Sequence, residues 1–395
     1  MSSINIEIAI IGGGVIGSST AYHLAHQGHN VLVIEQAPDV ASTPAASWAS
    51  AGGVRRQGRH PAEAQLASEA IERWQTLEQE LEADLHYRRG GNLLLAESEV
   101  EAEQLETFVY HQHDMGFSDV RLLNREEVRG LVPALNARVV AGSYSPKDGQ
   151  ADPVRTTHAF ASAAQRYGAT YWNGTAALSL LVTGERVTGI ETARSHVQAQ
   201  RVILAAGAWS NDLLAPLGLQ LPVHTRALQM LLSTPAQAHI LSPVISAVKR
   251  TLSLKQLPNG AFLLGGGWLG DPTPDRRAYS LRSTSQTGNW QTACELLPPV
   301  AQQQVARAWC GLEAQSIDDL PFIGPLPGIE GLTIAVGFSG HGFAISPAVG
   351  HAIATQLQGQ PTPELDELRT ERIVGMSPDV ITAFIDEVAT DDFLV

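Results

Sequence analysis

With 395 residues, 44% of them hydrophobic and 17% charged, the chain is too long for one core, which stops growing near ~250–300 residues, so two lobes are expected. Its net charge of −14, with no basic run to interrupt it, disfavours nucleic acid and anionic membrane as partners. The two cysteines, Cys294 and Cys310, exclude a disulfide framework or a cysteine-based zinc site and fit a reducing compartment.

The first predicted element is a strand over residues 7–11. No basic segment precedes it and Glu7 interrupts its apolar run, so it does not read as a secretory signal. No apolar run reaches the ~18 residues of a membrane span, and the expected compartment is the cytoplasm. The strand leads into Gly12-Gly13-Gly14-Val15-Ile16-Gly17, a helix over 18–27 ended by Gly28, and an apolar strand over 31–34 followed by Glu35 and Gln36. This order is that of a dinucleotide-binding unit. Gly12 permits the tight turn, Gly14 lets the backbone approach a pyrophosphate, and Gly17 lets the helix pack closely on the strand. The helix start at Val15 and Ile16 offers free N–H groups to phosphates. Glu35, eighteen residues past Gly17, can accept both ribose hydroxyls and would repel a 2′-phosphate, which disfavours NADP.

Residues 38–60, rich in Ala, Ser and Gly, form a long loop of the kind that often carries function. Helices are predicted over 62–85, 100–115 and 124–131, with a strand at 91–96; Asn124 caps the last helix, with Glu127 three residues on, and Pro133 stops it. A further helix opens at Asp152-Pro153 and runs to Tyr167. It is followed by residues 168–172, two hairpin-like strands around Gly184 and Gly189, and a buried strand over 201–207 that ends in a glycine turn. Residues 223–309 are strand-rich and punctuated by proline, most clearly at 261–267. Another buried strand, 332–337, precedes a glycine-rich turn and a helix over 346–357; a short helix over 378–388 and an acidic end close the chain.

Four segments together resemble the D-amino acid oxidase group of flavoprotein amine oxidoreductases. Glycine oxidase, sarcosine oxidase and the catalytic β-type subunits of heteromeric sarcosine oxidase and proline dehydrogenase are the nearest members. The segments are the glycine turn with Glu35; Ser47-Trp48-Ala49-Ser50-Ala51-Gly52-Gly53-Val54-Arg55-Arg56; Leu204-Ala205-Ala206-Gly207-Ala208-Trp209-Ser210; and Trp309-Cys310-Gly311-Leu312 with 318–324 and Gly337-Phe338-Ser339-Gly340-His341-Gly342-Phe343. A nicotinamide dehydrogenase would share only the first, so the resemblance implies FAD. It also implies an α/β fold: a Rossmann-like FAD-binding domain (1–85, 148–220, 308–365) interleaved with a mostly antiparallel-sheet, α+β substrate domain (86–147, 221–307), then a tail over 366–395. In the family the segment from Ser47 to Gly53 passes under the flavin, the backbone at Ala177 meets the adenine, and Ala206 and Gly207 line the adenosine. Trp209 and Gly311 belong to the same blocks, with core packing the alternative for Trp209. The turn from Gly337 to Phe343 opens a helix, so its N–H groups, with Ser339 and Gly340 among them, face the flavin side where reduction places negative charge.

The reaction implied is oxidation of an amino acid or secondary amine. Hydride passes from Cα to flavin N5, and the imine is hydrolysed to a 2-oxo acid. The pocket is expected between the lobes, at strand carboxyl ends. His341 is a candidate to bond the flavin or orient the turn, the alternative being satisfaction of backbone carbonyls. Arg55 and Arg56 are candidates to hold a substrate carboxylate, against a solvated surface role; Trp48 either walls the site or packs. Glycine oxidase and D-amino acid dehydrogenases carry a carboxylate-gripping arginine where this chain has Glu313. Glu313 therefore either pairs with a cationic substrate group or forms an internal ion pair. Cys310 is one residue out of register with the position that links FAD covalently in some sarcosine oxidases, so non-covalent FAD is expected, and no metal site. Sarcosine oxidase has lysines where this chain has Ala344 and Leu263; Lys255 lies eight residues from the second place. The missing charge points to a dehydrogenase that passes electrons to a quinone, a dye or a partner subunit. The alternatives are an oxygen-using glycine- or sarcosine-type oxidase and a flavin-binding non-catalytic subunit or assembly factor.

Overall fold

Strand β1 (Ser3–Ile11) buries Ile8 to Ile11 completely in the computed structural model, which describes residues 3–386. It turns through Gly12 into α1 (Val15–His26) and returns as β2 (Val31–Ile34), parallel to β1 with Ile8 opposite Val31 and Ile11 opposite Ile34. Two glycines are demanded by this turn. Gly12 has φ +108°, and a Cβ on Gly17 would collide with the Gly12 carbonyl oxygen.

The long loop contains α2 (Ala46–Ala49) and β3 (Gly53–Val54). The helix expected over 62–85 is broken into a turn at Pro61–Glu63, α3 (Ala64–Trp74) and α4 (Leu77–Glu80). Packing overrides propensity here. Trp74 is wholly buried, its ring 5.5 Å from Tyr87 and 5.3 Å from Phe343, and its Nε1 donates to the Ala344 carbonyl at 2.8 Å. The chain must turn after Trp74 to bury Leu77, Leu81 and Leu85 against the same core.

Next come β4 (Asn92–Ala96), α5 (Glu99–Asp114), β5 (Arg121–Asn124), α6 (Arg125–Leu131), β6 (Ala141–Ser145) and β7 (Gly149–Gln150). The α6 cap forms as its residues predict: Asn124 Oδ1 accepts from Glu126 and Glu127 N–H, and Glu127 accepts from Asn124 N–H. Asp152 likewise caps α7 (Pro153–Arg166), accepting from the Arg155 N–H at 3.0 Å. Strands β8 (Thr170–Trp172), β9 (Ala177–Thr183), β10 (Arg186–Thr192) and β11 (His196–Leu204) follow, then α8 (Ser210–Leu214).

The proline-punctuated region holds β12 (Val223–Pro235), β13 (Val244–Ala247), β14 (Arg250–Gln256), β15 (Ala261–Gly265), β16 (Leu269–Pro272) and β17 (Tyr279–Ser280). It also holds a helix that its polar composition hides, α9 (Ser283–Leu296), which lays Ala293 and Leu296 into a core with Leu231, Leu254 and Phe262. The chain ends with β18 (Val305–Ser316), β19 (Phe322–Pro325), β20 (Leu332–Val336), α10 (Gly342–Leu357) and α11 (Pro378–Ile385). The acidic end and the last residues of the helix expected over 378–388 lie outside the described residues.

Two sheets organise these elements. The first runs β19-β20-β11-β1-β2-β8, with β9 and β10 hairpinned onto β11; β20, β11, β1, β2 and β8 are mutually parallel. Helices α1, α3, α7 and α10 bury one of its faces. The second sheet, ordered β17-β16-β12-β15-β14-β13-β4-β6-β5 with β18 on β12, is antiparallel except between β13 and β4. The boundary expected at residue 308 cuts through β18, which is hydrogen-bonded into this second sheet from Val305 to Ser316.

Candidate functional site

The carboxyl ends of β1, β2 and β11, the loop around α2, and the head of α10 open on one cleft of about 1490 Å³ of empty space, its mouth included. Its nucleotide end is built from local chain. Gly12, Gly14, Val15 and Ile16 present the N-terminus of α1 to the cleft. Ser47 Oγ accepts from the Val15 N–H at 2.9 Å, which latches the long loop to this turn. Glu35 lines the cleft with Gln36; its Oε2 accepts from the Gly13 N–H at 2.6 Å and its Oε1 from the Ala37 N–H at 2.8 Å. Burial pushes the Glu35 carboxyl up, while the Ala37 and Gly13 N–H groups pull it down. Ala177, Ala206, Gly207 and Trp209 form the facing wall; Trp209 also packs on the cluster around Ala208 and Ala227. A glycine-lined helix N-terminus with a carboxylate at the next strand end suits a pyrophosphate and ribose.

The other end is assembled from distant segments. Gly337, Gly340, Gly342 and Phe343 line it at the start of α10. Ser339, with φ 50°, turns toward β18 instead: its N–H donates to the Ala314 carbonyl at 3.2 Å and its Oγ accepts from the Ser316 N–H at 3.1 Å. Glu313 faces the cleft from β18, half-buried, and its carboxyl accepts from the Gly340 N–H. Burial pushes that carboxyl up to about 7. Burial, opposed by the Gly340 N–H, sets this shift.

His341 points away from the cleft lining. Its Nδ1 lies 3.0 Å from Oε2 of the fully buried Glu63, whose Oε1 has no partner among the described residues. Burial and the charge of Arg59 push His341 down to about 4. Burial would raise Glu63, but the hydrogen bond with His341 and the charges of Arg59 and Arg55 hold it below the usual carboxylate range. Arg59 is buried, donates Nε to the Arg55 carbonyl at 3.1 Å, and leaves Nη1 without a partner. Sequence reasoning misses Arg59; the spacing of four from Arg55 to Arg59 to Glu63 is its trace.

The two arginines proposed from sequence separate. Arg56 is a correction: it is drawn into the interior, ion-paired to Asp119, stacked 4.9 Å over the Phe117 ring and buried to 4% exposure. A guanidinium so committed does not hold a substrate. Arg55 stays half-buried, with Nη1 donating to the Gln57 carbonyl at 2.6 Å.

Of the loop segment from Trp48 to Gly53, Ser50 lines the cleft, while its neighbours lie against the second sheet. Trp48 packs edge-on to Trp309 at 6.5 Å, and Arg307 stacks over both rings, 5.3 and 5.1 Å away. A Cβ on Gly311 would collide with Ala49. Ala51 and Gly52 rest against β14 and β15, with Lys255 Nζ 3.2 Å from where a Cβ on Gly52 would stand, and Gly53 opens β3. Lys255 is buried and lies directly opposite Leu263 across the β14–β15 pairing. Desolvation pushes its amine down to about 7 against the pull of Asp152. Cys310 sits on the other face of β18 from Trp309, Gly311 and Glu313, in the cluster with Ala208 and Ala227, and burial pushes its thiol up to about 12.

Among the described residues no three His, Cys, Asp or Glu side chains gather to hold a metal, and no described helix is long and apolar enough to cross a membrane. In comparison with known proteins, the chain is 29% identical to a glycine oxidase of Pseudomonas aeruginosa, over 90% of this chain and 95% of that protein. It is 27% identical to sarcosine oxidase subunit beta of an Arthrobacter species, covering 88% of this chain and 86% of the subunit. The crystal structure of L-proline dehydrogenase from P. horikoshii superposes with a TM-score of 0.85 at 27% identity, covering 94% of this chain and 96% of that one. The family described as DAO, FAD dependent oxidoreductase, matches residues 7–356, and the chain belongs to that family.

Proposed function

We propose that this protein oxidises a small amino acid or secondary amine with bound FAD and passes the electrons to oxygen. One observation carries the reading: a single cleft joins the α1 N-terminus and Glu35 at one end to the α10 N-terminus and Glu313 at the other. Gly12, Gly14 and the first N–H groups of α1 would hold the pyrophosphate, Glu35 the ribose, Ala177, Ala206 and Gly207 the adenosine, and Gly337, Gly340 and Gly342 the pyrimidine side of the ring. FAD supplies the hydride acceptor. The inward, buried Cys310 favours non-covalent binding.

Arg55, backed by Arg59, is the candidate for the substrate carboxylate, as a guanidinium can grip both oxygens. Glu313 is the candidate for the substrate nitrogen. Leu263 alone argues for a dehydrogenase, because the strand carries no cation there. Lys255, its cross-strand partner, supplies one beside Gly52 and supports oxygen as the acceptor. The second reading, a dehydrogenase working with partner subunits, is favoured by the likeness to sarcosine oxidase subunit beta and L-proline dehydrogenase.

The test is spectroscopic. The purified protein is expected to be yellow, and a panel of D- and L-amino acids, N-methyl amines and opines should contain a substrate that bleaches it without oxygen. Peroxide release in air should keep pace with reduction of an artificial dye. Slow peroxide with fast dye reduction would establish the dehydrogenase, and a colourless protein would end the flavin reading.

A further inference from the structure

Hydride can leave Cα only if the neighbouring nitrogen has a lone pair to form the C=N bond. An alkylamine keeps its proton, and so has no free pair, up to about pH 10. A substrate that binds at neutral pH must therefore lose that proton inside the cleft. Few groups there can take it. Glu35 stands at the nucleotide end with both oxygens already accepting N–H bonds. Asp212, on α8, is ion-paired to Arg276. His341 turns its imidazole to Glu63. Among the described residues, Glu313 alone lines the ring end as a carboxyl, held by a backbone N–H.

We propose that Glu313 is the proton acceptor for the substrate's ammonium group, a role that rests on the amine-oxidising reading above. The N–H bond breaks, its electron pair stays on nitrogen, and the proton passes to the Glu313 carboxylate. The Cα–H pair then leaves to FAD as hydride while the nitrogen pair closes the imine, so no other oxidant is needed. Glu313 suits the task because it is anionic above about 7 yet basic enough to take the proton. Arg226 pairs directly opposite it on β12, with His224 two residues before, and His341, next to its Gly340 donor at the head of α10, turns to Glu63. Asp212 and Glu35 stand further along the cleft. Burial dominates the carboxyl's shift, opposed by the Gly340 N–H.

The experiment is anaerobic single-turnover bleaching of the holoenzyme across pH, for the wild type, Glu313→Gln and Glu313→Asp. The wild-type rate should rise to a plateau through a midpoint near pH 7. Glu313→Gln should be slower by about 10²-fold at pH 7.5, as for loss of a general base, and should climb toward the wild-type rate as pH approaches the amine's own pKa. Glu313→Asp should restore part of the plateau. Trimethylglycine, which has no proton to give, serves as an unreactive probe followed by flavin absorbance. Its binding to the wild type should tighten about tenfold as pH rises through 7 and should be flat in Glu313→Gln. An unchanged pH profile, a loss uniform across pH, or trimethylglycine binding indifferent to both pH and substitution would each overturn proton acceptance while leaving amine oxidation intact. Failure of every amine to bleach the wild type would remove the broader reading, and this one with it.

Discussion

Glu35 and Glu313 are two half-buried carboxylates at opposite ends of one cleft, and they are built differently. Glu35 follows β2, and its oxygens are satisfied by Gly13 and Ala37, within the first 37 residues. Glu313 sits mid-strand in β18 and takes a hydrogen bond from Gly340, on a turn that β20 and α10 set in place. The nucleotide end is thus fixed by local backbone, and the ring end by the mutual placement of two sheets. The difference predicts rigidity and intolerance at the first end, and side-chain variation that changes chemistry at the second.

The harshest way to test that contrast is Gly17→Ala. Its Cβ would meet the Gly12 carbonyl, and overpacking against backbone costs on the order of 3 kcal/mol. The variant should lose its yellow colour and melt well below the wild type; retained colour and an unchanged melting temperature would mean the turn is not the rigid element described. At the other end, Lys255→Met should leave anaerobic bleaching intact and slow reoxidation by oxygen about 10²-fold, the scale of removing one aimed charge. Equal loss in both half-reactions would make Lys255 structural. The arginines offer a third comparison. Arg55→Ala should raise KM by about 10²-fold, the scale of a lost charge-assisted bond. Arg56→Ala should leave KM unchanged and lower the melting temperature, because it strands Asp119 and uncovers Phe117. If Arg56→Ala raised KM instead, the assignment of the two would be reversed.

The same contrast explains what the amino-acid order discloses. The β1–α1–β2 unit is legible because each glycine answers a backbone constraint set by its near neighbours, and the α6 cap because Asn124 and Glu127 bond each other. The break after Trp74 is hidden: the residues from 62 to 85 have helical preference throughout, and only the buried ring against Phe343 and Tyr87 forces the turn. Helix α9 is hidden by its own polarity. Lys255 is hidden by distance along the chain, since eight residues become a direct cross-strand pair once the β14–β15 register is known. Arg55 and Arg56 are adjacent and chemically identical. Asp119 and Phe117, more than sixty residues on, decide which one is committed inside.

Acid stability should show the smallest effect. His23, on α1 near Pro347, is pushed down to about 3, first by burial; His341, at the ring end, is pushed down to about 4 for the same leading reason. In the unfolded chain each takes a proton at its ordinary value near 6.5, which the folded form refuses. The unfolded state therefore binds more protons below 6.5, and stability falls as pH drops from 6.5 toward 4 for His341 and toward 3 for His23. At pH 5.5 each histidine should cost about 1.4 kcal/mol relative to pH 7.5. Glu63, held below its ordinary value, adds its own loss only at lower pH, as pH falls through its folded value. Melting curves at pH 7.5 and 5.5 should then show His341→Gln losing about 2 °C less on acidification than the wild type. His23→Gln should behave alike, although His23 is packed between α1 and α10 and not beside the cleft, because burial acts on a base wherever it sits. An identical acid loss in wild type and His341→Gln would show that folding leaves the imidazole's affinity for a proton unchanged; a smaller loss in the wild type than in His341→Gln would show that the imidazole keeps its proton against Glu63, which would make their contact an ion pair and would add a fixed positive charge behind the turn at Gly340.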